Sequence, residues 1–230
     1  MKRLILIVEG QTELEFVNKL LTPHLVKRGV NASIQPIMIT MKGGGHGFNN
    51  IEHLGNTIRP LLNDSDEPII TTIIDHYGIN SESKLPGYTE CCKEQDMAIR
   101  LDKMESKLYE YVQTIKPYRY FIPYIQRHEM ETLLFANPEG GFEYEDERIK
   151  NEVMNLCKQF DSIEDINDTP EGAPSKRLAD IYKKYQKKYV KIVDGIEIAE
   201  LTTIEKMLEK CPRFRKWVEQ LIEVMVGQEV

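Results

Sequence analysis

The sequence predicts an α/β fold: a mainly parallel four-stranded sheet flanked by helices, with a helical annex at the C-terminal end. The first observation is a continuous apolar run at residues 4–8, which is typical of a central strand covered on both faces. The second is the alternation of strand-like and helix-like segments up to Pro138, which is typical of a three-layer sheet domain. The third is the lack of a strong strand candidate beyond Pro138, which predicts helices there.

The first strand is expected to lead directly into a helix that reaches about Gly29. Thr12 and Glu15 have the spacing of a capping box, which places the helix start just after Glu9. Further strands are expected at residues 32–40, 67–75 and 118–126. Further helices are expected near residues 49–63, 95–115, 128–138, 145–160, 175–189 and 203–226. The α/β domain is therefore expected to cover residues 1–140, and the annex residues 141–230.

Composition limits the class of protein. The 230 residues are 41% hydrophobic and 29% charged, so the chain can bury a core. The formal net charge of −7 argues against non-specific binding of nucleic acid over the whole surface, so a polyanion would have to meet a local basic patch. The four cysteines include no CxxC pair, which favours reduced thiols. No apolar run approaches the roughly 20 residues of a membrane span and no signal peptide is recognisable, so a cytoplasmic protein is expected.

Acidic residues follow three of the expected strands. Glu9 ends the first strand, Asp75 ends the third, and Glu129 and Glu131 come after the fourth. Because the carboxyl ends of parallel strands open on the same edge of a sheet, these carboxylates are expected to converge. Converging carboxylates raise one another's pKa unless a cation neutralises them. Oxygen ligands favour Mg²⁺ or Mn²⁺ over zinc, so a site for one of these metals is predicted.

Each of these residues also has a structural alternative. Asp75 could simply form the turn that begins at His76. Glu129 and Glu131 would point apart on a helix, because residues i and i+2 face different sides, so one is expected to be a ligand and the other a cap or ion-pair partner. His76 and His128 adjoin the acids and could shuttle protons, although a histidine bonded to backbone is the commoner outcome.

A candidate phosphate site lies at the helix start expected after Pro174. Ser175, Lys176 and Arg177 would combine free backbone amides with two cations; alternatively, Ser175 caps the helix and the cations are solvated. A nucleic-acid strand could lie along the lysines that follow. These are Lys183, Lys184, Lys187, Lys188 and Lys191. The tyrosines among them are expected on the core face, and they are Tyr182, Tyr185 and Tyr189.

Two further motifs are given structural roles. The stretch KGGGHG, at residues 42–47, lacks the ending of a P-loop and is expected to be a flexible loop, or a flap over the site with His46 at its tip. The stretch CPRFRKW is expected to dock Phe214 and Trp217 onto the core. Neither motif requires catalysis.

Several motifs together carry a resemblance. They are VEGQTE, IIDHYG, PYIQRHEMETLLFANP, APSKRL and CPRFRKW. With them the sequence resembles, over nearly its whole length, an uncharacterised bacterial family of Toprim-like proteins of unknown function, often encoded near ATPases in phage-defence loci. The resemblance implies a Toprim-like, Rossmann-like fold. Toprim domains use a glutamate after the first strand and a DxD motif after the third, with Mg²⁺, to cut or join nucleic-acid phosphodiesters.

By this resemblance Glu9 is the motif glutamate, a general acid or base, and Asp75 is the first aspartate of DxD. Tyr77 stands where the second aspartate would be. We infer that Glu129 or Glu131 replaces that ligand. Glu13 is a further candidate ligand, close to Glu9 in sequence.

The expected function is that of a Mg²⁺- or Mn²⁺-dependent phosphodiesterase, a DNA or RNA nuclease of a defence system. Its catalytic residues are expected to be Glu9, Asp75, Glu129 and Lys176, with nucleic acid also bound by Ser175, Arg177, Lys184 and Lys188. The alternative is a catalytically inactive binding or regulatory subunit, or a sensor, for a partner ATPase. A third reading is an enzyme that acts on a small phosphoester.

Overall fold

The sheet has five strands, all parallel, in a Rossmann-like α/β arrangement. The computed structural model describes residues 2–41, 45, 47–166 and 172–227. The strands run in the order β2–β1–β3–β4, and β5 pairs with β3 beyond β4. Their bounds are Arg3–Val8 (β1), Ser33–Met38 (β2), Ile69–Asp75 (β3), Phe121–Ile122 (β4) and Ile125–Gln126 (β5). The predicted fold class is confirmed.

The central position of β1 explains its continuous apolar sequence. In register, Val8 lies opposite Met38 of β2 and opposite Ile73 of β3. Alternate side chains enter two separate cores, one on each face of the sheet: Leu6 belongs to the first and Ile7 to the second, and both are fully buried. Each such side chain contributes about 1.5–3 kcal/mol of burial free energy, so both faces of the strand stabilise the sheet.

The fourth predicted strand is split into β4 and β5. Pro123 lies between them and has no N–H to donate to the neighbouring strand. The side chains of β3 bridge the gap: Thr71 Oγ1 donates to Ile122 O at 2.6 Å, and Thr72 Oγ1 accepts from Tyr124 N at 2.9 Å. This region of the sheet is thus held by side-chain hydrogen bonds as well as by backbone pairing.

The first helical segment begins at Gln11, not after a Thr12 cap. It consists of α1 (Gln11–Phe16), a π-helical turn (Val17–Leu21) and α2 (Thr22–Lys27). Gly10 is the N-cap, and its N–H donates to Glu13 Oε2 at 2.9 Å. The predicted Thr12–Glu15 capping box is therefore wrong, because the helix starts early enough for Glu13 to bond the N-cap amide.

Helices α3 and α5 cover one face of the sheet and end close to the predicted positions. The elements of this half are α3 (Ile51–Leu62), 3₁₀ turns at His76–Gly78 and Ser81–Ser83, α4 (Tyr88–Cys91) and α5 (Met97–Ile115). The expected flap falls on residues 42–47, of which only Gly45 and Gly47 belong to the described residues; His46, its expected tip, lies outside them.

The predicted helix at residues 128–138 is a 3₁₀ helix, Met130–Ala136, followed by α6 (Pro138–Gly141). His128 has a positive φ of 62°, and Glu129 has extended backbone with φ −138° and ψ 163°. Asn137 interrupts the helical run and caps α6 through its side chain. Both Glu129 and His128 therefore precede the helix instead of lying on it.

The C-terminal half is helical, as predicted, with different boundaries. Its elements are α7 (Glu147–Cys157), a 3₁₀ turn (Ile163–Asp165), α8 (Pro174–Lys184), a π-helical turn (Lys191–Gly195), α9 (Ile196–Thr202), α10 (Ile204–Lys210) and α11 (Pro212–Val226). Helix α8 ends earlier than predicted, because Gln186 adopts the left-handed conformation with φ 59°. The π-helical turn and α9 were not predicted, and the helix expected at residues 203–226 is broken before Pro212.

The last helix packs against the sheet. Trp217 Nε1 donates to Thr71 Oγ1 at 2.9 Å, and the Trp217 ring stacks on Tyr124 with centroids 4.4 Å apart. Phe214 and Trp217 are both buried, so their predicted role in the core is confirmed. All four cysteines are free thiols, as expected. Within the described ranges, the helices are too short or too polar for any of them to cross a membrane.

Candidate functional site

The ends of β1 and β3 bring Glu9 and Asp75 into contact. The two strands run in parallel register up to Val8 and Ile73, so the residues that follow leave the sheet at the same edge. Glu9 Oε1 accepts a hydrogen bond from the Asp75 backbone N–H at 2.8 Å. Burial raises the pKa of Glu9 to about 8; the nearby Glu13 also raises it, and hydrogen bonds from the backbone of Asp75 and Phe48 oppose this rise. Glu9 therefore titrates near neutral pH.

Asp75 has an incomplete set of partners. Its Oδ1 atom is buried and has no hydrogen-bond partner among the residues that the structure describes. Burial raises the pKa of Asp75 well above its usual value, and the carboxylates of Glu13 and Glu9 raise it further. A buried polar atom without a partner costs free energy, so this position favours a ligand that can supply positive charge or a donor.

Glu13 joins these two acids from helix α1. Its carboxylate accepts the Gly10 N–H, and burial raises its pKa from the usual value. The Glu129 carboxylate also raises the pKa of Glu13, so the two groups share one electrostatic environment. Glu13 is thus both the capping residue of α1 and a member of the acidic site.

Glu129 and Glu131 converge on a single lysine. Lys191 Nζ lies 2.9 Å from Glu131 Oε1 and 3.6 Å from Glu129 Oε1, and both glutamates are buried. The expectation that these two acids point apart is wrong, because Glu129 lies on extended backbone before the 3₁₀ helix. We call Glu9, Glu13, Asp75, Glu129 and Glu131 the acid cluster.

Lys191 is a site residue that sequence reasoning assigned to a different role. Burial opposes its charge, but the carboxylates of Glu131 and Glu129 outweigh burial and raise its pKa. Lys191 begins the π-helical turn after α8 and reaches back to the cluster. In the sequence it is one of several closely spaced lysines, and no local pattern distinguishes it from the others.

Ser175 lies at the start of α8, as predicted. It binds the carboxylate of Glu129. Its backbone N–H donates to Glu129 Oε2 and its hydroxyl to Glu129 Oε1, both at 2.9 Å. The N-cap of α8 is Ala173, so the capping role suggested for Ser175 is wrong. The amide expected to be free for phosphate is occupied by a carboxylate.

The two cations beside Ser175 have separate roles. Lys176 Nζ donates to the Tyr77 hydroxyl at 2.9 Å and lies over the Tyr77 ring, 5.3 Å from its centroid. Tyr77 is exposed, and its backbone N–H donates to His128 O. Arg177 Nε donates to Gly172 O at 2.7 Å and its guanidinium packs on the Phe160 ring. Lys176 is thus tied to the strand end that carries Asp75, and Arg177 to the loop before α8.

The two histidines beside the acids are uncharged near neutral pH. Burial lowers the pKa of both His76 and His128 to about 4. The His128 ring is buried and its Nε2 lies 3.0 Å from Glu164 O. His128 therefore makes the backbone contact that was given as the commoner outcome, in a tautomer with the proton on Nε2.

The later lysines do not form one helical stripe. Lys184 pairs with Glu152 at 2.6 Å on the surface, and Lys187 pairs with Glu145 at 3.0 Å. Lys188 is exposed but lies beyond the end of α8. The prediction of a continuous basic helix is wrong. Tyr182 and Tyr189 are buried, with ring centroids 5.5 Å apart, which confirms their expected place in the core; Tyr185 bonds Glu152.

The acid cluster has the donor chemistry of a site for Mg²⁺ or Mn²⁺. All five side chains offer carboxylate oxygens, and the unpartnered Asp75 Oδ1 is a vacant acceptor. In the part of the chain that the structure describes, however, no three His, Cys, Asp or Glu side chains are already arranged around one metal position. The hydrogen bonds of Ser175 and the ion pairs of Lys191 account for Glu129 and Glu131. The carboxylate oxygens are therefore the kind of ligand that a hard cation prefers. Movement of Ser175 and Lys191 would make Glu129 and Glu131 available to bind it.

The fold and the site define an α/β protein with a Rossmann-like parallel sheet and an acid cluster at the carboxyl edge of its central strands. The chain belongs to the DUF4276 family, a domain of unknown function, whose sequence profile matches residues 8–222. The matched range contains every member of the acid cluster, with Ser175 and Lys191. Neither a curated protein nor a solved structure matches the chain.

Proposed function

We propose that this protein is a Toprim-like, Mg²⁺- or Mn²⁺-dependent phosphodiesterase of the cytoplasm, acting as a DNA or RNA nuclease in a bacterial defence system. The observation that supports this most is the convergence of five carboxylates at the carboxyl edge of a parallel sheet, where one buried oxygen of Asp75 has no partner in the described chain. The edge is also where open α/β sheets bind ligands.

Each member of the cluster has a role in this proposal. Glu9 is the general acid or base, because its pKa of about 8 lets it both hold and release a proton near neutral pH. Asp75, Glu13 and Glu131 would hold the cation. When bound, the cation would polarise a phosphoryl oxygen and activate a water. Glu129 fixes the start of α8 through its two hydrogen bonds from Ser175.

Lys176 is the residue best placed to meet the substrate. It lies at the rim of the site, held by Tyr77, whose strand-end position follows Asp75 by two residues. An ammonium group there would offset the negative charge that develops on a phosphodiester during cleavage. Ser175 would offer its amide to a phosphate only when Glu129 leaves it. Lys188 extends the basic surface from beyond α8.

A second candidate is a regulatory subunit or sensor, for a partner ATPase, that performs no catalysis. One contact favours it: Lys191 lies 2.9 Å from Glu131 and supplies positive charge to the cluster without a metal. Tyr77 in place of a second aspartate favours it as well. In this candidate the carboxylates and Lys191 would be a structural network, and metal would have no effect on the protein.

The experiment that separates the two is Mn²⁺ titration calorimetry together with a cleavage assay. Wild type, Glu9→Gln and Asp75→Asn are compared on single-stranded and duplex DNA and RNA in Mg²⁺ and Mn²⁺. Glu219→Gln and Asp180→Asn, at exposed positions, are the matched controls. Mn²⁺ binding that requires Asp75, together with cleavage that requires both Glu9 and Asp75, supports the nuclease. A folded wild type that binds no Mn²⁺ contradicts it and favours the regulatory subunit.

A further inference from the structure

The acid cluster contains a cation of its own. Lys191 Nζ lies within ion-pair distance of Glu131 and Glu129, and Coulombic attraction to Lys191 also acts on Glu9, Glu13 and Asp75. The ammonium group therefore attracts all five carboxylates and forms ion pairs with two of them. No local sequence motif delivers it there; the path of the chain after α8 does.

The side chain of Lys191 can leave the cluster without disturbing the core. It is 44% exposed, whereas the side chains of Glu129 and Glu131 that it contacts are 7% and 3% exposed. Lys191 belongs to a five-residue π-helical turn, a rare conformation that is frequent at functional sites. Ile192 and Val193, next along that turn, are exposed. The turn therefore lies at the surface, and its lysine has an open route to solvent.

We propose that Lys191 is a built-in competitor for the divalent cation: it offsets part of the negative charge of the cluster in the resting protein and leaves it when the cation binds. This inference rests on the metal-dependent function proposed above and adds its regulation. Lys191 and a divalent cation would repel each other at short range, and both are attracted by the same carboxylates. Occupancy of the cluster by one therefore excludes the other.

The same argument gives a role to the segment around Lys191. Whatever moves the π-helical turn away from the cluster removes the competitor and exposes Glu131 to a metal. Glu129 also has two hydrogen bonds from Ser175, so departure of Lys191 frees Glu131 and leaves Glu129 held. Movement of this one side chain thus removes the competing charge and frees Glu131.

The test is Mn²⁺ titration calorimetry of the full chain as wild type, Lys191→Met and Lys191→Arg. Lys191→Met is expected to bind Mn²⁺ at least about tenfold more tightly than wild type, because the competing charge is gone. Lys191→Arg keeps the charge and is expected to stay near the wild-type affinity. Lys206→Met, at an exposed residue that pairs with Glu209, is the control and is expected to bind like wild type.

Thermal unfolding gives a second measurement that does not depend on cleavage. Without metal, Lys191→Met is expected to melt below wild type, and Mn²⁺ is expected to raise its Tm by more than it raises that of wild type. If Lys191→Met does not fold, Lys191→Gln, which also lacks the charge but keeps a hydrogen-bond donor for Glu131, replaces it in both assays.

The outcomes separate this inference from the nuclease proposal. Equal or weaker Mn²⁺ binding by Lys191→Met overturns the inference, and it does so even if wild type cleaves nucleic acid. Tighter binding by Lys191→Met without cleavage by any variant supports the inference and contradicts the nuclease. Absence of Mn²⁺ binding in every folded variant overturns both.

Discussion

Two clusters of charged residues in this molecule have opposite designs. In the acid cluster, Lys191, which is 44% exposed, pairs with Glu129 and Glu131, and Asp75 keeps a buried oxygen without a partner in the described chain. In the second cluster one arginine, Arg213, bonds both Asp102 and Glu105 and so ties α11 to α5. Glu105 also accepts the Ile125 N–H at 2.8 Å.

The difference teaches how to tell a candidate site from a structural ion pair. Both clusters contain an acid whose pKa burial raises: Glu9 to about 8 and Glu105 to about 7. A raised pKa alone therefore does not distinguish them. The two clusters differ in their balance of charge. Glu105 is paired with Arg213 and has a backbone donor, whereas the acid cluster carries far more negative than positive charge. Such an excess is stabilised only by a further cation or by protons.

The largest effect is expected for Glu9→Gln on cleavage. Glutamine keeps an oxygen that can accept the Asp75 N–H but loses the proton-transfer group, so the cleavage rate is expected to fall by about 10²–10⁴-fold. The Tm is expected to stay within a few degrees of wild type, because the change relieves repulsion in the cluster. Cleavage is measured beside Glu219→Gln. An unfolded Glu9→Gln protein would instead make Glu9 a structural residue.

Arg213→Met is expected to have the reverse pattern. Its side chain is 11% exposed, and its loss leaves the Glu105 charge buried and unpaired, which costs about 3–5 kcal/mol of the free energy of unfolding. Mn²⁺ affinity is expected to be unchanged. Urea unfolding measures the loss, and adding Glu105→Gln is expected to restore part of it. A loss of Mn²⁺ affinity without a loss of stability would contradict the structural role of Arg213.

The pH dependence of stability is expected to have a distinct contribution from each cluster. The folded-state pKa of Glu9, about 8, lies above the unfolded value of 4.5, so the folded protein binds more protons between them and stability falls as pH rises through that window. Glu105 has the same sign but acts only up to about pH 7. By linkage, the contribution over the full window is about 5 kcal/mol for Glu9 and about 3 kcal/mol for Glu105.

Urea unfolding at about pH 5, 7 and 9 tests this, because linkage makes the slope a measure of proton uptake. Glu9→Gln is expected to reduce the fall in stability over the whole range from about pH 5 to 8, and Glu105→Gln to reduce only the part below about pH 7. Stability that rises with pH across the window would show that the acids are ionised in the folded protein.

The smallest effect is expected for Lys176→Met. Loss of one cation at the rim is expected to weaken the binding of a labelled oligonucleotide a few-fold and to reduce its salt dependence by about one counterion. Stability is expected to change by less than about 1 kcal/mol, because the bond to the Tyr77 hydroxyl lies on the surface. Lys206→Met is the control in a polarisation assay. Equal binding by both variants would remove Lys176 from the site.

The sequence predicts the parts of the site that follow from strand ends. Glu9 and Asp75 terminate apolar strands, and parallel pairing alone brings them together. It does not predict that Glu129 and Glu131 share a partner, because this depends on the extended backbone of Glu129, which helical spacing conceals. The position of Lys191 is harder still to predict, because it depends on the π-helical turn after α8, which the sequence does not predict.

The fold, like the site, has parts that the sequence predicts and parts that it does not. Hydrophobic periodicity predicts β1, β3 and α5 closely, since each buries a regular face. It fails where tertiary contacts replace local ones, as in the broken fourth strand, where Thr71 and Thr72 side chains substitute for ladder bonds.

The hydrogen bond from Trp217 to Thr71 joins residues 146 positions apart, and it lies beneath the strand that ends in Asp75. Contacts of such long sequence separation form late in folding, because a large loop must close first. During synthesis Thr71 and the Tyr124 ring therefore lack their cover by α11 until that helix has left the ribosome. The newly made chain accordingly passes through an interval in which this surface is open to aggregation or to chaperones.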